Sequence, residues 1–140
     1  MKHIVEKRLS PNDIGLTGSH QAGILVPKRS EPLSFFPKLQ ADQINPRIVI
    51  SFYDDLDQLW KFNFIYYNNK LRGGTRNEYR LTGMTSFLRG AGASVDDILV
   101  FERNEDDYTI RIKKAGATVE ETEDGVVTLV LDNSWRIISF

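Results

Sequence analysis

Two polar stretches of this 140-residue chain, residues 8–21 and 72–80, concentrate side chains able to read a nucleic acid. The first supplies Arg8, Asn12, Asp13, Thr17, Ser19, His20 and Gln21. The second supplies Arg72, Thr75, Arg76, Asn77, Glu78 and Arg80, with Lys70 just before it. In a major groove, arginine bonds a guanine edge through two parallel hydrogen bonds. Asn and Gln do the same for adenine, and a carboxylate accepts from the cytosine amino group. Lys7, Arg8, Lys70 and Arg72 suit phosphates. Gly15, Gly18, Gly73 and Gly74 let the backbone come close to a ligand. Glu78 is the informative member. A loop that only holds phosphate gains nothing from a carboxylate between Arg76 and Arg80. A loop that reads base edges, or that fixes its arginines, does. Without a ligand, Arg76-Asn77-Glu78 reads equally as a turn with a surface ion pair worth ~0–1 kcal/mol.

Catalytic patterns are poorly supported. There is no cysteine, which removes disulfides, thiolate chemistry and Cys-based zinc sites. His3 and His20 lack ligand-like spacing. No Asp or Glu has a Lys two positions on, so half of a common metal-dependent nuclease signature is missing. Neither histidine begins a His-x-Lys pair, and no Gly-x-x-x-x-Gly-Lys-Ser/Thr loop occurs. The acidic runs Glu105-Asp106-Asp107 and Glu120 to Asp124 read as solvated turns rather than Mg²⁺ sites. The expectation is a binding module without a cofactor or metal, with a small β-barrel enzyme as an alternative.

Net charge of −1 argues at first against a polyanion partner, but it averages two unlike halves. Residues 1–90 hold 13 basic and 8 acidic side chains, a balance of +5. Residues 91–140 hold 5 basic and 11 acidic side chains, a balance of −6. Both polar stretches lie in the basic half, and such asymmetry is a sign of a polyanion-binding face. The same split also fits basic and acidic surfaces that only solvate the fold. No apolar run approaches the ~18 residues that a membrane helix needs, and no apolar signal segment opens the chain. A cytoplasmic protein with no membrane partner is expected.

The elements that must position these residues are mostly strands. Arg47 to Tyr53 is β-branched and aromatic. Leu59 to Tyr67 alternates, with Trp60, Phe62, Phe64 and Tyr66 on one face as core rather than as a stacking surface for bases. Further strands are expected near residues 2–9, 22–26, 79–82, 97–103, 107–113, 118–122, 126–131 and 135–140. Helical turns are expected near 30–36 and 84–88. Trp135 and Phe140 read as core or terminal packing. Many short strands at close spacing make a mainly β sandwich or barrel, and the length and absence of a linker suit a single domain over 1–140.

Lys7 to Ile24, with its Ser10-Pro11-Asn12-Asp13-Ile14-Gly15-Leu16-Thr17-Gly18-Ser19-His20-Gln21 core, closely resembles the start of the N-terminal effector-binding domain of EcoRII-type restriction endonucleases. So do Ile65-Tyr66-Tyr67-Asn68-Asn69 and Gly74-Thr75-Arg76-Asn77-Glu78-Tyr79-Arg80-Leu81-Thr82. The middle of the chain is similar to the plant B-three transcription-factor domain at Trp60-Lys61-Phe62, Leu81-Thr82-Gly83, Phe87 and Asp97-Ile98-Leu99-Val100-Phe101. Two positions depart from the restriction-enzyme pattern, Tyr79 where a basic residue is expected and Ser19 where glycine is. Both families imply a DNA-binding pseudobarrel, an open barrel of about seven strands with two short helices. The resemblance implies an N-arm over about Arg8 to Gln21 and a C-arm over about Arg72 to Arg80, gripping the major groove of double-stranded DNA. It implies a recognition module of a restriction endonuclease, with CC(A/T)GG as the target and cleavage in a nuclease domain of the same or a partner chain. A transcription-regulator domain of the same fold is the alternative.

Overall fold

The computed structural model describes residues 2–15, 23–28, 30–40, 42–115, 129–130 and 135–139. Its strands are β1 (Lys2–Arg8), β2 (Ile24–Val26), β3 (Arg47–Tyr53), β4 (Leu59–Tyr67), β5 (Glu78–Thr82), β6 (Ile98–Asn104), β7 (Asp107–Lys113), β8 (Leu129–Val130) and β9 (Trp135–Ser139). Helix α1 spans Ser30–Ser34, α2 spans Thr85–Gly90, and one 3-10 turn spans Asn69–Arg72. The strands form one mainly antiparallel sheet in the order β2-β5-β4-β3-β7-β6-β1-β9-β8, with β3 and β7 parallel. Seven strands have at least five residues; β2 and β8 are shorter. The expected strand at 118–122, most of that at 126–131, and Phe140 lie outside the described residues.

Alternation in β4 sets the inside of the sheet. Phe62, Phe64 and Tyr66 are buried and Trp60 packs against the core, while Lys61 is exposed. The register places Ile50 of β3 beside Phe62 and Phe52 beside Trp60, so both strands turn the same face inward. Asp54 makes the connecting turn. Its carboxylate accepts from the Leu56 and Gln58 amides at 2.9 and 2.8 Å and from the Trp60 indole N–H at 2.9 Å. The Trp60 bond is the main reason its pKa lies below the ordinary carboxylate value.

The sheet curls until its ends nearly meet. Trp135 of β9 is fully buried, stacks on Phe101 of β6, and donates its indole N–H to the Leu25 carbonyl of β2 at 3.0 Å. One side chain thus joins strands near opposite ends of the sheet order. Phe35 and Phe36, just past α1, add rings to the same core, and Phe36 stacks on Phe64 at 4.7 Å. Phe87 of α2 meets Trp60 and Phe62 edge-on. Over Ile98 to Phe101, β6 is buried on both faces. Outside it, the Glu6–Lys113 ion pair at 2.8 Å crosses from the neighbour of Val100 to the neighbour of Ile98.

Asp97 anchors the start of β6. It is 2% exposed and accepts from the Ser94 and Ala115 amides and the Lys114 ammonium at 2.9 to 3.0 Å. Burial alone would raise its pKa; the hydrogen bonds and the Lys114 charge outweigh that and hold it below the ordinary value. Its backbone carbonyl takes the Leu9 amide at 2.9 Å, and the Leu9 carbonyl takes the Asp96 amide at 2.9 Å. Asp97 therefore fixes the exit of β1, where the first polar stretch begins.

Candidate nucleic-acid interface

The first polar stretch starts as a self-contained turn. The Ser10 amide donates to Asp13 Oδ2 at 2.9 Å, and the Asp13 amide donates to Ser10 Oγ at 3.2 Å. This reciprocal pattern satisfies two backbone donors locally. Lys7 Nζ reaches the same Asp13 oxygen at 2.9 Å, with side-chain exposures of 5% and 8%, and also donates to the Arg8 carbonyl. Lys7 and Asp13 are thus engaged in holding the start of this stretch, and Lys7 reaches a phosphate only by leaving that buried pair. Arg8 and Asn12 are exposed. Thr17, Ser19, His20 and Gln21 lie outside the described residues.

The second stretch is a loop between β4 and β5 shaped by Asn69. The Asn69 side-chain oxygen accepts the Arg76 amide at 2.7 Å, its carbonyl accepts the Gly74 amide at 2.8 Å, and the Lys70 amide donates to the Arg76 carbonyl at 2.8 Å. Gly74 packs against the Asn69 side chain, where a Cβ would stand 2.6 Å from Asn69 Cγ. Lys70 and Thr75 are left exposed at the tip, and Arg72 ends the 3-10 turn.

Three charges from the far side of this loop meet. Arg76 donates to Glu78 Oε1 from Nε at 3.1 Å and from Nη2 at 2.7 Å. Arg80 donates to Oε1 at 3.2 Å and Oε2 at 3.3 Å. The Arg76 guanidinium also lies over the Tyr67 ring, 3.6 Å from its centroid. Burial by itself would raise the Glu78 pKa; bonds and charge from Arg80 and Arg76 prevail and lower it, so Glu78 is ionised at neutral pH. The period of two explains the meeting: Glu78 and Arg80 share a face of β5, and Tyr67 stands opposite Glu78 on β4. Neither arginine swings freely. Each presents its remaining N–H groups from a fixed plane, as bidentate recognition requires.

Asn77 and Tyr79 serve the other face. Tyr66 donates its hydroxyl to Asn77 Oδ1 at 2.7 Å. Tyr79 stacks on Tyr66 at 4.2 Å and on Phe64 at 5.6 Å, extending the core ladder toward the loop. Burial, and after it the Tyr66 hydroxyl, raise the Tyr79 pKa.

Arg80 also bonds to the chain just past the first stretch. Its Nη1 donates at 3.2 Å to the carbonyl of Gly23, the first described residue after the N-terminal stretch. Gly23 sits at φ +82°, and a Cβ there would collide with the Leu81 carbonyl and come within 2.8 Å of Thr82 Cγ2. No other residue allows this approach without strain. The supporting roles of Asn69, Tyr67 and Gly23 escape sequence reading. Gly23 borders an apolar strand without marking a turn, and the other two lie among polar and aromatic neighbours that look alike. Among the described residues no group of three or more potential metal ligands occurs, and no helix is long and apolar enough to cross a membrane.

The family model "Restriction endonuclease EcoRII, N-terminal" matches residues 2–108, which include both stretches and the strands between them. The chain belongs to the EcoRII N-terminal domain family. Over 81 residues this EcoRII-type domain is 38% identical to the Type II restriction enzyme EcoRII of Escherichia coli, covering 54% of the chain and 19% of that enzyme. Over 103 residues it is 25% identical to a B3 domain-containing protein of Oryza sativa subsp. japonica, covering 73% of the chain and 33% of that protein. It therefore spans a minor part of both relatives. The Arabidopsis FUS3–DNA complex matches with a TM-score of 0.61 at 22% identity, over 79% of the chain and 95% of the plant chain. The EcoRII-type domain thus has the B3-like pseudobarrel fold.

Proposed function

We propose that this domain recognises a short double-stranded DNA sequence in the major groove, as the recognition module of a restriction endonuclease. The observation that carries the reading is the Arg76–Glu78–Arg80 cluster, held where the β4–β5 loop enters β5 and bonded through Arg80 to Gly23, two residues past the first polar stretch. It combines two bidentate donors with one acceptor, a set suited to guanine and cytosine edges. Membership in the EcoRII N-terminal family and a fold shared with the chain of a plant protein–DNA complex support it. CC(A/T)GG, rich in G·C pairs, is the target we assign. Arg8, Asn12, Thr17, Ser19, His20 and Gln21 make the N-arm contacts, with Asp13 shaping their turn. Lys70, Arg72, Thr75, Arg76, Asn77, Glu78 and Arg80 make or support those of the C-arm.

In this reading the 140 residues act as one domain in the bacterial cytoplasm and do not cut. Cleavage belongs to a nuclease domain in the same or a partner chain. The likeness to the rice B3 protein favours a second reading, a transcription-type regulator using the same arms. Replacement of Arg76 by Ala is expected to weaken binding to a CC(A/T)GG duplex by ~1–3 kcal/mol, with little change on unrelated duplexes. Titration of both duplexes at one salt concentration checks this. Equal weakening on every duplex would make Arg76 a phosphate contact and remove the base-reading role.

A further inference from the structure

We propose a second, sequence-independent contact surface for duplex DNA on the outer face of β3 and β4, built on Arg47 and Lys61. This rests on the reading that the arms bind duplex DNA, and extends it to backbone flanking the recognised site.

The strand register places the surface. Arg47 pairs with Ile65, and Ile65 pairs with Arg80, so the two arginines occupy one cross-strand row. Alternation puts them on the same outward face, because Ile50, Phe62 and Leu81 of the three strands point into the core. Neighbouring strands lie about 4.8 Å apart, so the Arg47 and Arg80 backbones are separated by roughly 10 Å. Lys61 stands opposite Ser51, farther along the same face.

Charge then distinguishes this face from an ordinary polar one. Arg47 is exposed, and among the described residues its guanidinium has one long hydrogen bond, to the Asn45 carbonyl at 3.4 Å. Lys61 is exposed and has no hydrogen bond or ion pair among the described residues. The single acid on the outward positions of β3, β4 and β5 is Glu78, already neutralised by Arg76 and Arg80. Exposed acids along this sheet would have repelled a phosphate backbone; none stands between Arg80 and Lys61. Ser51 and Asn63 add neutral donors to the same surface. A duplex carries one charge per ~1.7 Å of axis, so DNA running over this face from the C-arm offers each cation several phosphates. Neither side chain is held by a carboxylate or an aromatic plane, so neither is preset for a base edge. Both suit phosphate.

The test measures binding of the full chain to a CC(A/T)GG duplex with long flanks, as a function of salt, for the unaltered protein and for the double variant Arg47→Ala/Lys61→Ala. Each lost phosphate contact lowers the slope of log affinity against log salt by ~0.9. The double variant is expected to lose ~1.8 from the slope and on the order of tenfold in affinity at ~0.1 M salt. Its preference for CC(A/T)GG over unrelated duplexes is expected to stay as it was. On a duplex trimmed to the site itself, the difference from the unaltered protein is expected to shrink. Arg47→Lys keeps the charge and retains the slope if the contact is to phosphate. Both positions are exposed, and unchanged thermal melting shows that the variants remain folded. An unchanged slope, or a changed base preference, with the unaltered chain binding normally overturns this proposal alone. Failure of the unaltered chain to bind any duplex overturns the two-arm reading and this one with it.

Discussion

Replacing Trp135 with Ala is expected to destabilise the protein by about 3–5 kcal/mol, the largest stability effect of any single side chain in this fold. The indole is fully buried, stacks on Phe101 at 5.6 Å and meets Phe36 edge-on at 6.3 Å. Its removal leaves a cavity between β6 and β9 too deep for the sheet to collapse into without moving β1. It also strips the half-buried Leu25 carbonyl of its partner, a loss on the order of the ~1 kcal/mol net worth of a hydrogen bond. At this chain length each kcal/mol corresponds to roughly 2–4 °C in melting temperature, so a drop on the order of 10 °C is expected. Trp135→Phe separates the two contributions. It keeps a ring against Phe101 and loses the bond to β2, so a smaller loss near the hydrogen-bond figure is expected. A thermal melt of both variants checks this. Equal, small losses would mean that the sheet does not depend on Trp135 to bring β9 against β2.

Replacing Glu78 with Ala is expected to give the largest loss of DNA discrimination, with an unusual signature. The carboxylate is ionised and fixes two arginines. Without it, Arg76 retains its place over Tyr67, while Arg80 retains its bond to Gly23. Both lose the acceptor that sets their planes, and the cluster loses the carboxylate it offers to a cytosine amino group. Selectivity for CC(A/T)GG over an unrelated duplex is expected to fall by ~1–3 kcal/mol, roughly five- to 150-fold. Affinity for the unrelated duplex is expected to hold or rise, since the interface gains one unit of positive charge. Phosphate-binding side chains behave differently, because their loss weakens all duplexes alike. Parallel titrations with specific and unrelated duplexes check the pattern. Equal weakening on both would reduce Glu78 to a structural brace.

Local signals account for what the sequence made legible. β3, β4 and β7 have the expected bounds because alternating or β-branched runs end at polar turns, Asp54-Asp55-Leu56-Asp57 and Glu105-Asp106. The grouping of Arg76, Glu78 and Arg80 follows from the period of two along β5. Two helical turns fall near the expected 30–36 and 84–88, with α1 ending at Ser34 and α2 running two residues past Leu88. Long-range contacts were not legible. The parallel pairing of β3 with β7, the Trp135–Leu25 bond and the Arg80–Gly23 bond join residues 52 and 108, 135 and 25, and 80 and 23. No local pattern encodes such pairs. Asp13 shows a subtler limit. Its type and position suit base reading, yet Lys7 and the Ser10 amide occupy its Oδ2 in a nearly buried turn. A polar side chain whose type suits base reading can also be what holds a turn in shape.

Sequence-selective duplex recognition by the two proposed arms is tested by competition binding at ~0.1 M salt, in which a labelled CC(A/T)GG duplex is challenged by unlabelled duplexes that each carry one changed base pair. Each change within the site is expected to weaken competition by ~1–3 kcal/mol, while changes in the flanks have no effect. Equal competition by every duplex, or no binding to the labelled one, would rule out such recognition.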